Sequence, residues 1–200
     1  MSEHYFSKQP QVKSERTTWQ TNLRGHHFSF TTDYGVFSRE KVDDGSRLLI
    51  ESFAEPKITG NILDLGCGYG PVGLAVAKTF PRRQVVMADI NERAVSLAQH
   101  NVKQNQVTNA KVIVSDRFST ITDTFAAILL NPPIRAGKTV VYSLFTESYD
   151  ALKKGGELWV VIQKKQGAPS AAKKLEELFG NIKLMTRKKG YHIYKMKKLD

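Results

Sequence analysis

Two hundred residues, 40% of them hydrophobic and 10% aromatic, suffice for one packed core and are too apolar for a disordered chain. Thirty Lys and Arg against nineteen Asp and Glu give a net charge of +11, which fits either a polyanionic partner, nucleic acid ahead of membrane, or a solvated basic face. The single cysteine, Cys67, excludes an internal disulfide and a multi-cysteine zinc site, and with no signal peptide or bilayer-length apolar run the expectation is a soluble, cytoplasmic protein with no membrane partner.

In chain order, the first forty residues are polar and irregular. They predict an N-terminal extension, residues 1–40, packed on a main domain at 41–200, with one domain overall. "HHFSFTTDYGVF" predicts a hairpin, and Asp43 or Asp44 is placed to cap a helix that begins near "SRLLIESF". His4, His26, His27, His100 and His192 show no metal-ligand spacing, so no metal site is expected; on a strand His26 and His27 would face opposite sides. From residue 61 short apolar runs alternate with helical stretches. "NILDL", "VVMAD", "AKVIVS", "FAAILL" and "ELWVVIQ" lack polar alternation, as strands buried on both faces do. Between them lie "PVGLAVAKTF", "NERAVSLAQHNVKQN" and "VVYSLFTESYDALKK", with Pro71 at a first helical position and Gly155 and Gly156 where the last of these helices should stop. This succession predicts an α/β fold, a mostly parallel sheet with helices on both faces.

The tail adds a helix over 169–179, opened by Pro169 and closed by Gly180, then "NIKLMTRKK" and "YHIYKMKK" around Gly190, an antiparallel pair. It is also where charge concentrates: residues 151–200 hold thirteen basic and four acidic side chains.

"LDLGCGYGPVG" carries the first chemistry. Gly66, Gly68 and Gly70 follow a buried strand and precede a helix, so the backbone can turn sharply and approach a ligand of nucleotide type. Gly68, Gly70 and Gly73 also spell the dinucleotide fingerprint GxGxxG, but the first glycine after the strand is Gly66, and Asp64 lies where a diphosphate would approach. A carboxylate there repels a dianion and suits a cation. Asp89 and Asp116 end the next two strands, so three acids should line one rim of the sheet.

"D-L-G-C-G-Y-G" resembles motif I of the class I S-adenosylmethionine-dependent methyltransferases. That resemblance implies a Rossmann-like, seven-stranded, mostly parallel sheet with a C-terminal antiparallel hairpin. It implies S-adenosylmethionine as cofactor and S-adenosylhomocysteine as product, with Asp64 near the methionine ammonium and Gly66, Cys67, Gly68 and Gly70 beside the cofactor. Asp89, followed by Ile90, is implied on the ribose and Asp116 on the adenine amino group. Cys67 itself reads as a small residue in a glycine turn, with no His partner to make it a nucleophile.

"NPPI", Asn131 to Ile134, follows the fourth of these strands. Proline biases the preceding Asn131 toward extended backbone, and two prolines remove competing N–H donors and fix the turn. The Asn131 side-chain oxygen and the Pro132 carbonyl then form a rigid pair of acceptors for an NH₂ group. This resembles motif IV of amino-nitrogen methyltransferases, NPP followed by an aromatic, and implies that Asn131, Pro132, Pro133 and Ile134 form the catalytic corner. Asn131 is counted with the cofactor site as well. Ile134 departs from the aromatic, and Phe37 from the N-terminal part is a candidate to supply the missing flat surface.

"YGVFSREKVDDGSRLLIE" joined to the glycine loop and "NPPIRAGK" resembles the catalytic domain of RsmC-like small-subunit ribosomal RNA guanine-N2 methyltransferases over about residues 20–198. The implied reaction is methyl transfer to guanine N2 in 16S ribosomal RNA, free or in the small subunit. Arg135 and Lys138 are candidate phosphate contacts, and Lys188, Lys189, Lys195, Lys197 and Lys198 a candidate RNA surface. Better-known members of that group carry a further, degenerate methyltransferase domain ahead of the catalytic one, and 200 residues accommodate one of the two. Methylation of a protein amide or a small molecule, and a catalytically silent RNA-binding module, are the alternatives.

Overall fold

The computed structural model describes residues 8–9 and 11–200. His4 lies outside the described residues. A two-stranded hairpin, β1 (Thr17–Leu23) and β2 (His26–Thr32), precedes helix α1 (Asp44–Ser52). The alternating part follows: β3 (Ile62–Leu65), α2 (Pro71–Thr79), β4 (Val85–Asp89), α3 (Glu92–Gln104), β5 (Ala110–Val114), β6 (Phe125–Leu130), α4 (Lys138–Ala151) and β7 (Leu152–Gln163). Helix α5 (Ala168–Phe179) leads into β8 (Lys183–Lys188) and β9 (Tyr191–Lys197). No helix of the described residues is long and apolar enough to cross a membrane.

The main sheet has seven strands in the order β5-β4-β3-β6-β7-β9-β8; the first five are parallel and β9 runs antiparallel to both neighbours. The expected architecture, a mostly parallel sheet ending in an antiparallel hairpin, is therefore present. Alternate residues of its strands enter two different cores. Ile62, Met87, Leu129, Trp159 and Val161 pack with α1, α2, α3 and the hairpin. Leu63, Val86, Ile128, Leu130, Leu158 and Val160 pack with α4 and α5. Both faces are covered, which is why these strands read as unbroken apolar runs. At about 25 cal/mol per Å² of apolar surface, each fully buried Leu, Ile or Phe contributes about 1.5–3 kcal/mol to holding the layers together.

The chain runs outward through β3, β4 and β5, then crosses back to β6 on the other side of β3. This reversal leaves a crevice beyond the carboxyl ends of β3 and β6, the place where open α/β sheets take ligands.

Two local expectations are corrected. "HHFSFTT" is one strand, paired with residues 17–23 across Arg24-Gly25, while "DYGVF" runs on as a loop. Arg24 (φ 49°) and Gly25 (φ 76°) both occupy the left-handed region, the geometry of a two-residue hairpin turn that matches strand twist. Gly155 and Gly156 do not stop a helix. Helix α4 ends at Ala151, and β7 runs through both glycines with a register irregularity opposite Phe125 and Ala127. A Cβ on Gly156 would lie 2.8 Å from the Lys153 carbonyl oxygen and 3.0 Å from that of Phe125, so the position serves close backbone approach at a bulge. The helix starts agree better: Asp43 caps α1 by accepting from the Ser46 N–H at 3.0 Å, and Pro71 opens α2. Pro169 and Gly180 bracket α5.

Candidate active site

Asp64 is the i+2 neighbour of Ile62, so it points toward the face covered by α2, among apolar residues. It is 4% exposed, and its Oδ2 accepts from the Gly73 N–H in the first turn of α2 at 2.8 Å. Burial outweighs that hydrogen bond, with the nearby Asp89 charge adding to it, and pushes the carboxyl up to about 7. Such a group gains most from a cation placed against it.

The glycine loop folds around these acids. Gly66 (φ 74°) and Gly68 (φ 58°) sit in the left-handed region, and the Gly68 N–H donates to Asp89 Oδ2 at 2.8 Å. Asp89 Oδ1 accepts from the Asn91 N–H at 2.9 Å, so this carboxylate fixes the loop and the start of α3 together. Cys67 is buried, and burial, then the Asp89 and Asp64 charges, push its thiol well above the ordinary range and so disfavour the thiolate. Asp116 lies just beyond β5 and is exposed, beside Arg117 at 3.9 Å.

After β6 the two prolines make a tight corner. The Ile134 N–H donates to the Pro132 carbonyl at 2.9 Å around Pro133 (φ −76°, ψ 79°), an inverse γ-turn. One lone pair of the Pro132 oxygen is thus used internally, and the other is available to a ligand. The Asn131 amide is held from across the site: its Nδ2 donates to Ser46 Oγ at 3.1 Å and to Asp43 Oδ2 at 3.4 Å. With the amino side engaged, Oδ1 is left as the accepting atom.

Two adjoining cavities occupy the crevice. One, of about 470 Å³, is lined by Asp64, the glycine loop, Asn131 to Arg135, Phe37 and Tyr191. The other, of about 360 Å³, is lined by Asp89, Ile90, Asp116 and residues of β6 and α4. Both include Gly66, Asn131 and Pro133 in their walls, so they form a two-lobed trough with Asn131 at the junction. The size suits a small-molecule ligand that reaches across both lobes. Of the residues singled out in the sequence, Asp64, Gly66, Cys67, Gly68, Asn131, Pro132, Pro133, Ile134 and Arg135 line the first lobe and Asp89, Ile90 and Asp116 the second. Gly70 (φ 110°) stands behind the loop, where a Cβ would meet the Met87 methyl at 2.8 Å, and Lys138 is exposed at the start of α4, outside both lobes.

Asp43, Ser46 and Tyr191 also line the trough, and sequence patterning gave Asp43 only a capping role. Asp43 and Ser46 belong to the start of α1, and Tyr191 reaches them from β9. A Cβ on Gly45 would lie 2.8 Å from the Tyr191 ring, so the glycine after the cap admits the ring. The described histidines serve elsewhere: His27 bonds Asn22 and Gln20, His100 bonds Gln104, His192 bonds Tyr194, and the His26 ring packs against Phe28.

A seven-stranded sheet of this order, with a glycine turn after its central strand and acids at successive strand ends, defines a class I methyltransferase fold. The chain belongs to the methyltransferase small domain family, which matches residues 27–195. A Bacillus subtilis (strain 168) protein named Uncharacterized protein YbxB is 57% identical over 201 residues, 100% of both chains. Ribosomal RNA small subunit methyltransferase C of Haemophilus ducreyi is 35% identical over 164 residues, covering 80% of this chain and 49% of the relative. The Vibrio cholerae El Tor protein of that name is 32% identical over 185 residues, covering 90% and 53%. The chain thus spans about half the length of these two relatives. Among solved structures, the T. thermophilus 16S rRNA N2 G1207 methyltransferase (RsmC) in complex with AdoMet and guanosine superposes with a TM-score of 0.82 at 26% identity, over 94% of this chain and 52% of that one.

Proposed function

We propose that this chain transfers a methyl group from S-adenosylmethionine to guanine N2 in 16S ribosomal RNA. The observation that carries the proposal is the two-lobed trough with Asn131 at its junction, its first lobe lined by Asp64, Phe37, Ile134 and Tyr191 and its second by Asp89 and Asp116. The residues fit that cofactor: a buried carboxylate, Asp64, for an ammonium, the Asp89 carboxylate for a ribose diol, and Asp116 for an adenine amino group. S-adenosylmethionine supplies an electrophilic methyl on a sulfonium. The chain's own task is to hold the amino nitrogen.

Asn131 Oδ1 and the remaining Pro132 lone pair accept the two amino hydrogens and orient the nitrogen lone pair at the junction. As positive charge develops there, both acceptors bind more strongly, which lowers the barrier without a strong base; once the nitrogen carries the methyl group it gives one proton to solvent and is neutral again. Asp43 and Ser46 act as positioning residues: by engaging Nδ2 they keep the oxygen on the reacting side. Phe37, 54% exposed at the cavity wall, and Tyr191 provide the flat surfaces that the residue after the prolines, Ile134, lacks. The choice of ribosomal RNA is supported by the net charge of +11 and by the names of the relatives.

The test is product identification. Purified protein, S-adenosylmethionine and small-subunit RNA or particles are expected to yield N2-methylguanosine on nuclease digestion and mass spectrometry. Label in protein, or in adenine, refutes the assignment. In the same assay Phe37→Ala is expected to raise KM for RNA about 5- to 150-fold, since base–aromatic stacking contributes about 1–3 kcal/mol per base, while cofactor affinity is kept. An unchanged KM removes Phe37 from the target site.

A further inference from the structure

Strand register divides the basic tail into two groups at opposite ends of the sheet. At the carboxyl end of β7, Gln163 pairs with Tyr191, and Tyr191 pairs with Lys188. Arg187, Lys188 and Lys189, with Lys164 and Lys165 just after β7, therefore stand at the trough end, beside Gln163 and Gln166 in its wall. At the other end Glu157 pairs with Lys197 and Trp159 with Lys195, so Lys195, Lys197 and Lys198, with Lys153, Lys154 and Lys183, face away from the trough.

Half of the far group serves the fold, while Lys154, Lys183 and Lys197 are exposed. Lys195 lies 3.6 Å from Glu157 and over the Trp159 ring. Lys198 Nζ donates to the carbonyls of Tyr149 and Leu152, at 3.0 and 3.1 Å, and Lys153 Nζ to that of Thr59 at 3.4 Å. The trough-end group is set apart by its place beside the trough wall. Lys164, Lys165, Arg187 and Lys188 are exposed and hold no ion pair among the described residues, and Lys189 reaches only Asp44, at 3.7 Å with both side chains exposed. Arg135 and Lys138 are exposed on the other lip. The acids at this end are Asp43, Asp64 and Asp89 in the trough walls, Asp44, which meets Lys189, and Asp116, beside Arg117. The positive field is felt locally: burial, then the Arg187 and Lys164 charges, hold His192 below the ordinary imidazole range.

We propose that Lys164, Lys165, Arg187 and Lys188 on one lip, with Arg135 and Lys138 on the other, are the surface on which the sugar–phosphate backbone of a structured RNA docks. The far-end lysines take no part. The inference rests on the RNA substrate proposed above and adds which face meets the phosphates. Exposed ammonium and guanidinium groups without internal partners exchange counterions for phosphates at little structural cost, and they position the polymer without reading its sequence. Cations on two lips let backbone pass on both sides of the trough while one nucleotide is extruded into it. The exposed large apolar residues, Tyr34, Phe37, Val114, Leu184 and Leu199, are dispersed, and no helix combines them with these cations, which favours RNA over a lipid surface.

Two triple variants of equal charge separate the ends: Lys165→Ala/Arg187→Ala/Lys188→Ala and Lys154→Ala/Lys183→Ala/Lys197→Ala. Binding of each to purified 16S ribosomal RNA is measured across a salt series, with S-adenosylmethionine titration as the folding control. The trough-end triple is expected to bind RNA at least about tenfold more weakly and to flatten the slope of log K against log salt by about 2–3, with the far-end triple like the unmodified protein. Equal losses in the two triples, or a larger loss in the far-end one, overturn the inference while leaving the RNA reaction standing. No RNA binding by the unmodified protein, or binding to phosphatidylglycerol vesicles instead, overturns it outright. Failure of the reaction itself is read separately, as absent N2-methylguanosine.

Discussion

Asn131→Ala is expected to lower methyl transfer about 10²- to 10³-fold, the size found when one preorganised transition-state hydrogen-bond partner is removed. The loss should fall on kcat, with KM for RNA and cofactor affinity each moving by less than about tenfold. Three features set the size. Oδ1 is an acceptor aimed by the Ser46 and Asp43 contacts to Nδ2, so it gains strength as the nitrogen becomes positive without reorganising. The Pro132 carbonyl cannot replace it, because Ile134 already occupies one of its lone pairs. Stability should fall by only about 1 kcal/mol, the net worth of the hydrogen bonds removed. Single-turnover kinetics and a urea titration measure both, and a variant with full activity would falsify the role given to Asn131.

Asp64→Asn should separate stability from function. The folded carboxyl is raised from 3.8 to about 7, so the sign is that of a group held neutral by the fold. Its contribution is complete below the unfolded value and is lost as pH rises through the folded one. At about 1.36 kcal/mol per unit the loss is on the order of 4 kcal/mol by pH 8. Without ligand, the asparagine variant should therefore match the parent in urea near pH 4 and exceed it by a few kcal/mol near pH 8. Cofactor affinity moves the other way. Losing a charge-assisted hydrogen bond to an ammonium costs about 1.5–3 kcal/mol, about 10- to 150-fold in Kd. In the parent, affinity should be flat above pH 7 and fall toward tenfold per unit below it, as ligand must displace a proton. A parent whose affinity is constant from pH 5.5 to 8, or a variant no more stable at pH 8, contradicts the place given to Asp64.

Much of the trough is legible in the amino-acid sequence because its residues stand at strand ends. A buried run that terminates in an acid or in Asn-Pro-Pro marks an edge of the sheet, and parallel strands bring such edges to one side. Asp64, Asp89, Asp116 and Asn131 came together on that logic. Contacts between distant segments were not legible. The Asn131 amide is held by residues 85 and 88 positions earlier, and nothing in "VDDGS" beyond a helix start announces it. Composition also merged two groups of lysines that the β7–β9 register sends to opposite ends. Gly155 and Gly156 misled for a related reason: a helix stop and a bulge ask for the same residue, and only the neighbouring Phe125 and Lys153 carbonyls distinguish them. The hairpin was displaced because Arg24 adopts a positive φ that its residue type does not advertise.

The most direct measurement is a crystal structure of the protein with S-adenosylmethionine bound. The ammonium is expected at Asp64, the ribose hydroxyls at Asp89, the adenine toward Asp116 and the sulfonium methyl directed at the Asn131 junction. A cofactor lying outside the trough, or one whose methyl points away from Asn131, would contradict this placement.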